Sequence, residues 1–314
     1  MIAGSQSSGF PDCVLVTGGT GLVGRALIRR LSTDQPNTEI RLLGRRAQWT
    51  DEVDGIPVHG YNWNPTDGML DRAALEGVDC IVHLAGETVA QRWSPSVKLR
   101  IRESRIAALG LLEAACRAGH HTPRIVSASA IGWYPSADRV QRESDPAGSG
   151  FIAEVVRDWE AAAASLGNLG GGHVALRTGL VLAAGGGVLG KLTPLYLLGI
   201  GSPLAPGTQW QSWIHIDDLV SLFMTAMDKT DWEGPFNAVS PVPIPQHAFS
   251  RSLAKALGRP HVLPAVPQWA VQLLYGEAAH ALLASHRIVP TKTLAAGFEF
   301  QHQDLDATLQ DILH

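Results

Sequence analysis

The chain has 314 residues and a formal net charge of −4, and 45% of its residues are hydrophobic. That hydrophobic fraction can build a sizeable core, so the composition excludes a largely disordered chain. No run of lysine and arginine stands out, so no nucleic-acid partner is expected.

The cysteines indicate the redox compartment of the protein, and the apolar segments indicate whether it spans a membrane. Cys13, Cys80 and Cys116 are scattered and form no Cys-x-x-Cys pair, which argues against a disulfide framework and predicts a reducing compartment, the cytoplasm. No second sulfur or histidine lies at ligand spacing, so no metal site is predicted.

The first ten residues lack the basic start and apolar core of a signal peptide. The most apolar stretch, 174–201, contains Arg, Lys, Pro and seven glycines, so no membrane span is expected.

The first half of the chain alternates short β-branched runs with helical patterns, which indicates βαβ units around a parallel sheet. The predicted strands are 13–17, 40–43, a weak third strand at 58–59, then 80–85, 124–129 and 173–177. The predicted helices cover 22–31, 97–118 and 151–166.

Beyond residue 180, glycine and proline interrupt the pattern and the elements become short and mixed. A strand at 213–216, a helix starting near 217, a strand at 235–239, a helix at 268–284 and a closing unit at 287–312 are expected. The predicted fold class is α/β, a doubly wound Rossmann sheet with a smaller, discontinuous C-terminal substrate lobe. We assign 11–180, with 209–240, to the domain that carries this sheet, and 181–314 mostly to the lobe, including a tail at 260–312.

A glycine-rich loop joins the first predicted strand to the first helix. Residues 14–24 read V-L-V-T-G-G-T-G-L-V-G, with G-x-G-x-x-G and G-x-x-G-x-x-G spacings. Such glycines allow a tight turn, close approach to a pyrophosphate and close helix–strand packing, and the helix N-terminus offers free N–H groups to phosphates. Since strand, loop and helix come in the required order, a dinucleotide site is predicted rather than a ligand-free turn. The expected contacts are Gly18, Gly19, Thr20, Gly21, Leu22, Val23 and Gly24.

The end of the second predicted strand indicates which dinucleotide binds. NAD sites carry a carboxylate there for the ribose 2′-hydroxyl, whereas this chain has Gly44, Arg45 and Arg46, with the arginines 21 and 22 residues after Gly24. An arginine pair suits a 2′-phosphate through charge-assisted hydrogen bonds. The sequence therefore predicts NADP (NADPH), with Arg45 as the main contributor, over the alternative of two solvated loop arginines.

Several segments together resemble the extended short-chain dehydrogenase/reductases, the family of nucleotide-sugar epimerases. They are the glycine-rich loop, D-C-I-V-H-L-A-G at 79–86, W-I-H-I-D-D at 213–218 and P-F-N-A-V at 235–239. Three more segments narrow the resemblance to an atypical subgroup, the YfcH-like epimerase family proteins of unknown substrate. These are I-R-E-S-R at 101–105, L-R-T-G-L-V-L-A at 176–183 with its glycine run, and the tail at 276–300.

The resemblance implies a serine, a tyrosine and a lysine that move the proton accompanying hydride transfer. Ser129 matches the serine. None of the four tyrosines has a lysine four residues later, and aligning the helix at 151–160 puts Ile152 and Val156 at the tyrosine and lysine positions. The usual proton donor of the superfamily is therefore absent.

Further cofactor contacts are implied by the same resemblance. The loop after the fourth strand is expected to lie along the cofactor, through Leu84, Ala85, Gly86 and Glu87. Val181 is also expected to contact the cofactor. Glu87 could bind ribose or substrate, or could cap a turn. Arg105 replaces an asparagine that helps to hold the active-site geometry in extended enzymes. A cation there suits cofactor phosphate or a substrate anion, and the alternative is a salt bridge on its own helix.

Another group must move the proton if the chain is an enzyme. Tyr134, five residues after Ser129, could polarise a carbonyl together with it, or could simply pack beside Trp133. His215 and Gln211 are predicted to contact substrate, the alternative for His215 being a hydrogen bond inside the lobe junction.

Two classes of function fit these residues. One is an NADP-dependent oxidoreductase or epimerase acting on a small sugar-like or anionic carbonyl compound, which the retained Ser129 favours. The other is a non-catalytic NADP(H)-responsive sensor, which the missing tyrosine–lysine pair favours. The expected partner is a small molecule in either case, and the helices at 97–118 and 151–166 could form a homodimer face, as in the enzymes that the chain resembles.

Overall fold

The computed structural model describes residues 9–45 and 52–314. Its strands are β1 Cys13–Thr17, β2 Glu39–Gly44, β3 Glu52–Val53, β4 Ile56–Pro57, β5 His59–Asn64, β6 Met69–Leu70, β7 Cys80–His83, β8 Arg124–Ala130, β9 Ala137–Gln141, β10 His173–Thr178, β11 Leu180–Leu182, β12 Trp210–Gln211, β13 Trp213–His215, β14 Gly234–Ala238, β15 Ile244–Pro245 and β16 His286–Ile288.

The α-helices lie between these strands and beyond the last one. They are α1 Leu22–Asp34, α2 Pro95–Gly119, α3 Phe151–Gly167, α4 Gly187–Leu197, α5 Ile216–Asp228, α6 Gln246–Ala256, α7 Gln268–Tyr275, α8 Ala279–Leu282, α9 Thr291–Ala295 and α10 Leu305–Leu313.

The main sheet of the described chain has the order β14-β10-β8-β7-β1-β2-β5-β6. Every neighbouring pair is parallel except β5 with β6. The chain moves outward from β1 in one direction through β2 and in the other through β7, so the order reverses at β1. This is the doubly wound Rossmann arrangement that the sequence predicted, and ligands of such sheets bind at the carboxyl ends of the strands beside the reversal.

Two apolar cores cover the faces of this sheet because successive strand side chains point to opposite sides. Val14 and Val16 of β1 join a core with α1 and α5. Leu15, between them, joins a second core with α2 and α3, which includes the buried Leu112 and Trp159. The apolar face of each predicted helix is therefore buried against the sheet, as its periodicity requires.

The C-terminal lobe has a core of its own around Trp213, built by α4, α6 and α10. In the tail, β16 pairs with β9 in a separate two-stranded sheet. The tail then reaches the main sheet: the Thr293 hydroxyl donates to the Asn237 carbonyl of β14 at 3.0 Å, and Phe300 is buried in the α1–α5 core. The tail thus packs against β14, the edge strand. The division of the chain into two domains near residue 180 stays a prediction.

Some elements differ from the sequence-based expectation. The third strand begins at His59 and continues to Asn64, and its length was not evident from the sequence because polar residues interrupt a half-exposed strand next to the sheet edge. The single helix predicted for 268–284 is wrong: α7 ends at Tyr275, where Gly276 has φ +58°, a backbone conformation that favours glycine and stops a helix. The sequence also missed α4 and α6, since α4 begins in a glycine run and contains Pro194.

The three cysteines are buried free thiols. Burial raises the pKa of Cys80 to about 12 and that of Cys116 to about 11, so both are held as unreactive thiols at neutral pH. Among the described residues, no helix combines the length and apolar character needed to cross a bilayer.

The packing of Phe300 predicts that the tail stabilises the whole fold. Phe300→Ala should lower the free energy of unfolding by about 3–5 kcal/mol, the usual cost of emptying an aromatic site in a core. Leu274→Ala is the matched control: Leu274 is 69% exposed, so its loss should change stability by less than about 0.5 kcal/mol. Urea denaturation measures both, and equal effects of the two substitutions would contradict the packing.

Candidate functional site

The loop between β1 and α1 is closed by a hydrogen bond from the Gly21 N–H to the Gly18 carbonyl at 3.0 Å. Gly18 has φ +71°, and a Cβ there would lie 2.8 Å from the Leu84 carbonyl carbon. A Cβ on Gly24 would lie 2.4 Å from the Gly18 oxygen. Both glycines are therefore required by the approach of backbone to backbone, as the sequence motif implied.

Helix α1 begins beside this loop with its N-terminus open. Gly21 is its N-cap, no side chain caps the helix, and its first turn contains no acid. Thr20 and Gly21 are exposed, while Leu22 and Val23 are half-buried. The backbone N–H groups and the positive end of the helix dipole are thus available to an anion such as a pyrophosphate.

The residues predicted to bind the 2′-phosphate lie at the end of β2. Thr17 of β1 pairs with Leu43 of β2, so the exposed Arg45, two residues beyond Leu43, follows β2 on the same edge of the sheet as the glycine loop. Gly44 is the last residue of β2. Arg46, the second predicted arginine, lies outside the described residues.

Thr17 also sets where β7 ends. Its hydroxyl oxygen accepts the N–H groups of Leu84 and Ala85, each at 3.2 Å, and its own proton points to Nδ1 of His83 at 2.8 Å. The sequence placed the end of this strand at residue 85, but the strand ends at His83. The Leu84 N–H still donates to the Thr17 carbonyl at 3.1 Å, and the Ala85 N–H donates to the Thr17 side chain instead. These hydrogen bonds also fix Leu84, Ala85 and Gly86 against the glycine loop.

His83 is fully buried, and its ring makes edge contacts with Trp63 and Trp159 at centroid distances of 6.4 and 6.5 Å. Burial, with the charge of Arg105 as a second cause, lowers the pKa of His83 to about 3. The ring is therefore neutral at physiological pH, and because Nδ1 accepts the Thr17 proton, its own proton is on Nε2.

Arg105 is half-buried against the same loop. A Cβ on Gly86 would lie 2.9 Å from the Arg105 Cζ, its Nη1 donates to the Ile101 carbonyl at 2.9 Å, and its guanidinium lies 4.9 Å from the centre of the Trp159 ring. Burial lowers the pKa of Arg105 to about 10, so the group stays cationic at neutral pH. A desolvated cation at this sheet edge can bind phosphate or a substrate anion.

Glu87 has partners in its own loop and on α2. Its N–H donates to the Ser104 hydroxyl at 2.9 Å, its carboxylate accepts from Gln91 at 3.1 Å, and Arg100 lies 3.8 Å away. These contacts favour the turn-stabilising alternative for Glu87 over a direct ligand contact.

Ser129, near the end of β8, belongs to a buried polar network. Its hydroxyl donates to Oε1 of Glu160 on α3 at 2.5 Å. Arg177 of β10 binds the same carboxylate through two hydrogen bonds of 2.8 Å, from Nε to Oε1 and from Nη2 to Oε2. A bidentate arginine fixes both the position and the plane of the carboxylate.

Tyr134 is part of the same network and is buried, 3% exposed. Its hydroxyl donates to Oδ1 of Asn237 at 2.7 Å and accepts from Nη1 of Arg177 at 2.9 Å. Burial raises the pKa of Tyr134 to about 12. The phenol therefore stays protonated, with its proton committed to Asn237, and the geometry favours the packing alternative over proton transfer.

The positions of the missing tyrosine and lysine are filled by apolar packing. Ile152 presses on the backbone after β8, where a Cβ on Gly132 would lie 2.4 Å from its Cγ2. Val156, one turn further along α3, is buried. No proton-exchanging group therefore occupies either position.

The predicted substrate residues lie in the lobe junction. His215 is buried and caps α5, accepting the Asp217 N–H at 3.1 Å through Nδ1, and its ring stacks on His302 at 3.8 Å. This favours the structural alternative for His215. Gln211, half-buried, lies in β12 and pairs with Ile244.

His215, His302 and Asp311 form the cluster of possible metal ligands within the described residues. Since Nδ1 of His215 accepts a backbone N–H, its proton lies on Nε2, which faces the Asp311 carboxylate at 4.0 Å. A protonated Nε2 cannot ligate a metal, so we assign none here. Val181, predicted beside the cofactor, pairs with Ile214 between β11 and β13.

Sequence reasoning missed Glu160 and Arg177. The available signal was spacing: Glu160 follows Val156 by four residues on a helix, which puts both on one face, and Arg177 ends an otherwise apolar strand. Neither signal identifies a partner, because the two residues and Ser129 belong to three separate elements.

A doubly wound sheet with an open, glycine-rich strand–helix loop at its reversal defines a Rossmann-type dinucleotide-binding protein. The profile of the NAD dependent epimerase/dehydratase family matches residues 14–239, and the chain belongs to this family. A second profile, a domain of unknown function (DUF1731), matches residues 266–312. Both matches confirm the membership and the distinctive tail that the sequence indicated.

Relatives extend over nearly the whole chain. An "epimerase family protein" of Mycobacterium tuberculosis is 36% identical over 94% of this chain and 96% of its own length. The chloroplastic SDR39U1 homolog of Arabidopsis thaliana is 33% identical over 96% of this chain and 86% of its own. The crystal structure of human epimerase family protein SDR39U1 with NADPH superposes with a TM-score of 0.83 at 29% identity, covering 96% of this chain and 98% of that one.

The buried state of His83 predicts a pH dependence of stability. The pKa of histidine is 6.5 when unperturbed and about 3 in this fold, so below pH 6.5 the unfolded chain binds a proton that the folded chain does not. Stability is then full above pH 6.5 and falls by up to about 1.4 kcal/mol per pH unit as the pH drops towards 3. His83→Gln should remove this part of the slope in urea denaturation between pH 6.5 and 4. Identical slopes for the two proteins would contradict the assignment.

Proposed function

We propose that the protein is an NADPH-dependent oxidoreductase or epimerase acting on a small carbonyl or hydroxyl compound. The observation that carries the proposal is the conjunction, at one edge of the sheet, of an open phosphate-binding loop and a strand-end Ser129 in the superfamily's catalytic place. The relative crystallised with NADPH supports the choice of cofactor. A structure from Corynebacterium glutamicum titled as a nucleoside-diphosphate sugar epimerase is 31% identical over 96% of this chain and 58% of that one, with a TM-score of 0.75, and supports a sugar-like or anionic substrate.

In this proposal NADP(H) supplies or accepts the hydride at the nicotinamide ring. The loop Gly18–Gly24 and the N-terminus of α1 bind the pyrophosphate, Arg45 with Arg46 binds the 2′-phosphate, and the loop Leu84–Gly86 lies along the dinucleotide. Arg105 supplies a positive charge next to that loop. Ser129 contacts the reacting oxygen of the substrate.

A sensor that binds NADP(H) without turnover is the second candidate. The observation that favours it is the apolar pair Ile152 and Val156, together with a Tyr134 hydroxyl whose proton is committed elsewhere. Pairing of two copies through α2 and α3 stays a prediction in either case.

The 2′-phosphate assignment predicts a selective effect of Arg45→Ala. Loss of a charge-assisted hydrogen bond should weaken NADPH binding by about 10- to 100-fold and leave NADH binding unchanged, because NADH lacks the phosphate. Arg30→Ala is the matched control, since Arg30 is an exposed arginine of α1 that pairs with Asp34. Fluorescence titration measures both affinities. An equal loss for NADPH and NADH would contradict the assignment.

Turnover is tested by incubating the protein with a cell metabolite extract and NADPH that carries deuterium at nicotinamide C4. Mass spectrometry should find a metabolite that gains deuterium with the wild-type protein and gains about 100-fold less with Ser129→Ala. Label transfer would identify the substrate. Tight NADPH binding without any label transfer would favour the sensor.

A further inference from the structure

We propose that Glu160 takes over the proton-relay task of the missing tyrosine and lysine, acting through Ser129 on a substrate oxygen. Ser129 is the catalytic residue that touches substrate, and Glu160 is the residue that positions its hydroxyl and exchanges its proton. The inference rests on the proposed function, since a relay has a task only if hydride is transferred.

The first argument is the helix face. Ile152, Val156 and Glu160 are spaced four residues apart on α3, so they lie in one row along the helix. This row faces the end of β8: Ile152 packs on Gly132, and Glu160 contacts Ser129. The group that can exchange a proton has thus moved along the same face of the same helix, beyond the two positions that became apolar.

The second argument is the direction of the hydrogen bond. A serine hydroxyl has one proton, and that of Ser129 is donated to Glu160. The lone pairs of the Ser129 oxygen are therefore left to accept a proton from outside the network. In this state Ser129 is set to receive a hydrogen bond from a substrate hydroxyl.

The third argument is how firmly Glu160 is held. Two hydrogen bonds of 2.8 Å join its carboxylate to Arg177, whose side chain is 2% exposed. Arg177 is fixed in turn by the Trp133 ring, 3.9 Å from its Cζ, and by the Tyr134 hydroxyl. A proton acceptor held in one position by these contacts meets the geometric demand of proton transfer in a hydride-transfer site.

Other titratable side chains around the site are committed elsewhere. The Tyr134 proton is donated to Asn237, His83 is buried with Nδ1 bonded to Thr17, and His215 caps α5. Within the part of the chain that the structure describes, Glu160 is the carboxylate that reaches Ser129.

The proton steps balance in both directions. In oxidation, the substrate hydroxyl gives its proton to the Ser129 oxygen as the Ser129 proton passes to Oε1 of Glu160, while the carbon gives its hydride to NADP and the carbonyl forms. In reduction, Glu160 returns its proton to Ser129, and Ser129 gives its own to the carbonyl oxygen as the carbon receives hydride from NADPH. Ser129 ends each direction as a neutral hydroxyl, and Glu160 releases its proton to solvent after oxidation and takes one up from solvent before reduction.

The test uses the full chain, deuterated NADPH and the metabolite extract, with the initial rate of label transfer as the readout. Glu160→Gln keeps the size of the side chain but cannot take a proton, so label transfer should fall about 100-fold or more, with NADPH affinity within about threefold of wild type. Glu160→Asp, which can take a proton, should recover at least a tenth of the wild-type rate. Glu154→Gln is the matched control: Glu154 is exposed on the same helix, and its variant should transfer label at the wild-type rate.

Ser129→Ala tests the relay without disturbing the buried ion pair. It removes the first link of the relay and leaves the Glu160–Arg177 pair intact, so a loss of label transfer in this variant cannot be attributed to misfolding caused by breaking that pair. The double variant Ser129→Ala, Glu160→Gln should be no slower than the slower single variant, since residues that act as one unit are not additive. Independent structural roles would multiply the two losses.

The outcomes separate the two proposals. Label transfer by Glu160→Gln at the wild-type rate, or multiplied losses in the double variant, overturns the relay and leaves the oxidoreductase standing. NADPH binding by the wild-type protein without any label transfer overturns both.

Discussion

Arg177 is a buried cation on β10, the strand next to the β14 edge of the main sheet, and the arrangement around it follows from the cost of burying that charge. An unpaired charge in a protein interior is prohibitive, so a buried arginine needs a carboxylate and further acceptors in good geometry. Glu160 supplies the carboxylate for Nε and Nη2, and the Tyr134 hydroxyl and the Glu143 carbonyl accept from Nη1. These partners connect α3, β10 and the loop after β8.

The network also explains how the chain keeps a polar site after losing the superfamily's tyrosine and lysine. Those two residues require each other, because the ammonium lowers the pKa of the phenol. With Ile152 and Val156 at these two positions, neither a charge nor an exchangeable proton is present there. The Ser129 hydroxyl donates instead to Glu160, one turn further along α3, and the charge of Glu160 is already balanced.

Backbone groups form the part of the candidate site proposed to bind the cofactor, and buried side chains form the part proposed to carry the chemistry. Gly18 and Gly24 allow contacts that no other residue could make, and Thr17 connects the glycine loop to the loop after β7 through three hydrogen bonds. A site of this kind tolerates changes in the reacting groups, since dinucleotide binding does not depend on them.

The sequence by itself determined the dinucleotide fold, the phosphate loop and the absence of the tyrosine–lysine pair. Each of these depends on a short-range pattern: apolar alternation in β1 and β7, glycine spacing between residues 18 and 24, and a count of residues after each tyrosine. The tertiary structure alone decided that Ser129, Glu160 and Arg177 meet, that Tyr134 is committed to Asn237 and that His215 stacks on His302. Those contacts join residues far apart in the chain, and their formation depends on strand register and helix packing, which no local pattern of residues encodes.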